Sequence, residues 1–164
     1  MEDFAAQAAE YEKHLNEKID PKDRESLGRI VLAGQKVMFS EKTHKYMLEM
    51  LDKPGDTSGK LAYGIVELMG LMLQQSKGNM PPQLIIPGAS MLLLKACEFV
   101  ARTGGEMNMD IYAEAVKLMI AGLRKQIEGA GQQQQPQQQG AIQQQAQAPQ
   151  PEQQATQGLI GQGA

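Results

Sequence analysis

The sequence predicts an all-α protein, a small bundle of four to five helices followed by a disordered, Gln-rich C-terminal tail. Three observations predict it. Apolar residues recur at three- and four-residue spacing through the body of the chain, as one face of a helix does. β-branched residues are few and nowhere alternate over a useful length, which removes the signature of a half-buried strand. Of the 36 residues from Gly129 to Ala164, 16 are Gln, and Glu152 carries the only charge. The remaining body of about 128 residues is long enough to bury a core without metals or disulfides.

The elements follow in order. Phe4, Ala8, Tyr11, Leu15 and Ile19 form a narrow apolar seam on a first helix, among Glu, Lys and Asn; a seam of that width suits a partner helix better than a deep core. Phe4, Tyr11 and Leu15 are therefore candidate residues of an oligomer seam. Asp20 before Pro21 is an N-cap and first-turn pair and opens a second helix. Its buried face is Leu27, Ile30, Val31, Val37 and Met38, while Gly28 and Gly34 either weaken it or admit a neighbouring helix closely. Ser40 caps a third, whose apolar face is Tyr46, Met47, Met50 and Leu51, and the turn Lys53-Pro54-Gly55-Asp56 stops it.

A fourth helix spans about 57–77, with Leu61, Ile65, Leu68, Met69, Met72 and Leu73 on one stripe and Asp56, Thr57 or Ser58 as its cap. Gly78-Asn79-Met80-Pro81-Pro82 forces a loop. Pro87-Gly88 opens the next helix, which carries Met91, Leu92, Leu94, Ala96, Phe99 and Val100 and ends at Thr103-Gly104-Gly105. The short run Leu84-Ile85-Ile86 is ambiguous between strand and helix. Asn108 caps the last helix, with Ile111, Ala115, Leu118, Met119 and Leu123 as its apolar face. Residues 1–60 hold 22 charged side chains and residues 61–123 only nine. The expected division is polar N-terminal helices over 1–52, an apolar helical core over 53–128 and the tail over 129–164. With few apolar side chains to offset ordering entropy, that tail is expected to have no unique fold.

Composition also limits the chemistry. A net charge of −3 with no basic block argues against a protein that works by neutralising phosphates. Met1-Glu2-Asp3 offers no signal-peptide n-region, so cytoplasmic synthesis is expected. The least polar stretch, Leu61 to Leu94, contains Glu67 and Lys77, and Pro81, Pro82 and Pro87 are expected to cut it into pieces too short to span a bilayer. One cysteine, Cys97, and two separated histidines, His14 and His44, leave no metal-ligand cluster and no implied cofactor. Cys97 falls on the apolar side of a helix, where an inert thiol is expected. Both histidines are expected on the surface.

Gly55-Asp56-Thr57-Ser58-Gly59-Lys60-Leu61 superficially suggests a phosphate loop. Its glycine spacing is one residue short, and Leu61 stands where a magnesium-binding hydroxyl is needed. Eleven methionines without a tryptophan are unusual. Met adapts to irregular gaps and to contact surfaces alike, so Met69 and Met72, with Leu73, are candidate membrane- or partner-contact residues.

Three stretches carry a family resemblance: Val37-Met38-Phe39-Ser40-Glu41-Lys42-Thr43; Gly59-Lys60-Leu61-Ala62-Tyr63-Gly64-Ile65-Val66; and Gly78-Asn79-Met80-Pro81-Pro82 with Pro87-Gly88-Ala89, ahead of a helix that ends in a Gln-, Gly- and Pro-rich tail. Over about residues 37–128 the chain resembles small virion structural proteins of short-tailed bacteriophages. The resemblance implies a multimeric component of the particle, at the portal vertex or inside the head, in one version ejected with the genome, made in the host bacterial cytoplasm. Its partners would be further copies of itself and other virion proteins, with a membrane as well if it is ejected and without sequence-specific nucleic-acid binding. It brings no catalytic residues. The alternative is a cytoplasmic assembly chaperone or adaptor that never enters the particle.

Overall fold

The computed structural model describes residues 4–52 and 55–132, and those residues form six α-helices and one 3-10 turn. They are α1 (Phe4–Lys18), α2 (Arg24–Met38), α3 (Glu41–Asp52), α4 (Thr57–Gln75), the 3-10 turn Pro82–Leu84, α5 (Ile85–Arg102) and α6 (Met109–Gln132). No strand occurs among the described residues, so the all-α class holds. The tail from residue 133 lies outside them. Gly129–Gln132, expected in that tail, instead continue α6: no proline intervenes before Pro136, and adding residues to an existing helix avoids the nucleation cost, which offsets the poor propensity of Gly129 and Gly131.

The helix ends follow local chemistry. The Asp20 carboxylate accepts from the Lys22 N–H at 3.1 Å and caps a turn over residues 21–23, so α2 proper begins four residues after the expected cap. Asp56, in extended backbone, accepts from the Gly59 N–H at 2.8 Å and caps α4. Asn108 does the same for α6 through the Ile111 N–H at 2.9 Å. At the end of α5, Gly104 takes a positive φ of 86°. The Gly105 N–H then reaches back to the Val100 carbonyl and the Gly104 N–H to that of Ala101, the paired bonds of a Schellman stop.

α5 is the central helix. Eight of the nine residues from Ala89 to Cys97 are buried, and a helix apolar all round must be covered all round. Its cover comes from α1, α2 and α4, with α6 supplying Tyr112, Ala115, Met119 and Leu123 to the same core. α2 lies parallel to α5, since Ile30 faces Gly88, Gly34 faces Leu92 and the Phe39 ring meets Phe99 at 5.7 Å. α4 and α6 are also parallel. Ser58 Oγ donates to the Ile111 carbonyl at 3.1 Å, and further along Val66 faces Gly122 and Gln126 faces Gly70.

Several expectations need correction. Pro82 and Pro87 do not interrupt the chain, because both fall in a first helical turn where the missing N–H costs nothing. The 21 residues Pro82–Arg102 are therefore one helical run, long enough to cross a bilayer and containing an 18-residue window of mean hydropathy 1.7, 67% of which is buried inside the bundle. The ambiguous Leu84-Ile85-Ile86 is the start of that run. On α6, Leu118 is 41% exposed and Tyr112 is the buried side chain, since the inward row is 112, 115, 119 and 123. The side chains of Tyr46, Met47, Met50 and Leu51, expected as the face of α3, lie outside the described part.

Candidate functional site

The expected oligomer seam lies within the chain. Phe4 and Ala8 are buried in the common core, and Tyr11, Leu15 and Ile19 are half-buried against it. The Tyr11 ring meets Tyr112 of α6 edge-on at 5.3 Å. Next to it, Lys95 Nζ of α5 lies 2.6 Å from Glu12 Oε2 and 3.4 Å from Glu98 Oε1. Burial alone would lower the Lys95 pKa, but the hydrogen bond and charge of Glu12, with Glu98 behind, outweigh it and hold the ammonium above its ordinary value. Of the contact candidates, Met69 and Met72 are buried in the core and Leu73 is half-buried against it. Met69 is sealed in the core, while Met72, although buried, lines a surface groove between α2 and the end of α4.

The groups that might have carried chemistry are closed. At the phosphate-like segment, the α4 N-terminus already holds the Asp56 carboxylate, where an incoming anion would have to sit. Ser58 is buried and committed to α6. The Cys97 thiol is fully buried; burial, with the Glu98 charge, pushes its pKa up to about 12, so the nucleophilic thiolate is suppressed at neutral pH. Tyr112 is likewise pushed up by burial first and then by Tyr11 and Cys97, and its hydroxyl donates to the Ser90 carbonyl at 3.4 Å. His14 is exposed beside Glu17, as expected. His44, expected on the surface, is half-buried with its ring edge-on to Phe99 at 5.1 Å, because the α2–α3 corner turns it onto the end of α5. No group of three metal-ligating side chains occurs among the described residues.

The surface carries more. An open groove of about 440 Å³ runs between α2 and the end of α4, with Ile30, Ala33, Val37, Met72 and Met80 along its floor and Arg29 at its rim. Large apolar side chains stand outside the core on several helices, among them Leu32 on α2 at 54% exposure, Tyr63 on α4 at 55%, and Leu118 and Ile127 on α6 at 41% and 48%. Sequence periodicity missed Leu32, because it selects the stronger row of a helix and α2 has a second one. The fold and its surface thus define a class, an all-α bundle with sealed reactive groups and apolar side chains left on several outer faces. No family model, curated protein or solved structure matches the chain.

Proposed function

We propose that this chain is a multimeric, non-catalytic structural component of a tailed-phage virion, an internal or portal-vertex protein. The observation that carries the reading is the contrast between a sealed interior, with Cys97, Tyr112 and the α4 N-terminus all committed, and apolar side chains exposed on α2, α4 and α6. Apolar side chains on separate faces give several neighbouring subunits somewhere to pack. The resemblance of residues 37–128 to virion proteins points the same way. The resembling stretches form the α2–α3 corner, the first half of α4 and the α4–α5 connection, which position the helices against one another. Ejection with the genome belongs to this reading, with Pro82–Arg102 as the segment of sufficient length and apolarity for a bilayer.

Quantitative proteomics of gradient-purified particles, before and after genome release, tests it. A fixed copy number in full particles is the expected result. Loss on emptying would select the ejected version. Absence from both would overturn the reading in favour of an assembly chaperone or adaptor.

A further inference from the structure

We propose that the outer face of α2 is where two copies of this chain pair, antiparallel, with Leu32 of each copy seated over Gly28 of the other. This deepens the multimeric reading above by naming the surface, and it rests on that reading only for its biological setting.

One glycine of α2, Gly28, stands without a packing reason in its own chain. Gly in a helix interior costs about 1 kcal/mol relative to Ala. Two other glycines in this core have a packing explanation: a Cβ at Gly34 would lie 2.5 Å from Leu92 Cδ1, and one at Gly88 would lie 3.0 Å from Ile30 Cγ2. Gly28 has none. It is exposed, its φ is ordinary, and a Cβ there would meet nothing within 4 Å. One helical turn later on the same face stands Leu32, 54% exposed. Gly28, Leu32 and Gln35 follow i, i+4 and i+7 spacing, a helix-pairing seam about a third of a turn round α2 from its core row Leu27, Ile30, Gly34 and Met38. A gap and a projecting Leu one turn apart are complementary to themselves after a two-fold rotation.

Charge selects the direction and the occupant. Glu25, Arg29 and Lys36 lie on one flank of the seam, all exposed. In an antiparallel pair, residues of the same flank face each other. Setting Leu32 opposite the second copy's Gly28 brings Glu25 opposite position 35 and so alongside Lys36 of that copy, and the reverse pair forms by symmetry. A parallel pair would set Gly28 on Gly28 and Leu32 on Leu32, and its two-fold axis would carry the two charged flanks to opposite sides, where Glu25 and Lys36 of different copies do not meet. Arg29 lies further round the helix and is already paired with Glu25 of its own chain.

The test is sedimentation velocity or light scattering of the full chain up to about 100 μM, because a seam of this length falls at the weak end of protein interfaces. The expected result is a monomer–dimer equilibrium. Gly28→Leu is the decisive variant: it has open space within the monomer and better helix propensity, so its melting temperature should hold or rise while the dimer weakens at least tenfold. Lys36→Glu should weaken the dimer, and Glu25→Lys added to it should restore it. A monomer throughout the range, or a dimer indifferent to Gly28→Leu, overturns the proposal. Neither outcome bears on whether particles contain the protein, so the two readings fail separately.

Discussion

Lys95 Nζ sits 2.6 Å from Glu12 Oε2 across the contact of α5 with α1, joining residues 83 positions apart at a place where both side chains are about two-thirds to four-fifths shielded from water. A pair this shielded is worth more than an exposed one and less than a fully buried one. Lys95→Met should therefore destabilise the bundle by about 1–2 kcal/mol. Glu12→Gln should cost less, since Glu98 at 3.4 Å still holds the ammonium. Urea denaturation of both single variants and the double variant checks this, and additive losses would mean that the pair is not coupled.

The α1 seam makes a second prediction. Because Tyr11 packs on Tyr112 and Leu15 lies against the same core, Tyr11→Ser and Leu15→Ser should each cost about 2–3 kcal/mol of folding stability. Neither should change the molecular mass in solution. A variant that kept its stability but lost mass would place the seam between chains.

Gly34 is the tightest point between α2 and α5. An added Cβ would come within 2.5 Å of Leu92 Cδ1 and 2.7 Å of Cδ2, and Leu92 is fully buried with no free side to move into. Gly34→Ala should lose about 1–3 kcal/mol to overpacking, against a helix-propensity gain of about 1 kcal/mol at most. Thermal melts should show it less stable than the wild type, with Gly28→Ala moving the other way.

Legibility from sequence divides along a physical line. Caps and stops are local, and Asp56, Asn108 and Gly104-Gly105 could be read because the groups they satisfy lie within five residues. Helix faces were legible where one row dominates, as on α4. What periodicity cannot carry is which element covers a face. Phe4, Tyr11 and Leu15 make the same pattern whether α5 or another chain lies over them. Tyr112 was overlooked because a tyrosine beside Ile111 reads as the more polar neighbour, yet Tyr11 and the Ser90 carbonyl give it a buried place. The proline rule failed at Pro82 and Pro87 because it depends on where the helix starts, which residues further along decide. Leu32 and Gly28 stand apart because Gly34 and Gly88, unlike Gly28, have intrachain partners that only the tertiary structure supplies.

Alkaline pH should unfold this protein earlier than its composition suggests. Burial raises Cys97 from an ordinary 9.0 to about 12, burial and Tyr11 raise Tyr112, and Glu12 and Glu98 hold Lys95 above its ordinary 10.5 in spite of burial. In each case the folded state keeps a proton that the unfolded chain gives up more readily. Stability is therefore full below pH 9 and falls as pH rises from there toward 12, because the unfolded state binds fewer protons across that window. Denaturant midpoints from pH 7 to 11 should stay level to about pH 8.5 and then decline. Cys97→Ala should reduce the slope just above pH 9 while lowering stability at pH 7 through lost packing. A slope unchanged in that variant would show that the thiol ionises as readily in the fold as in water, against its burial between Ala96 and Val100.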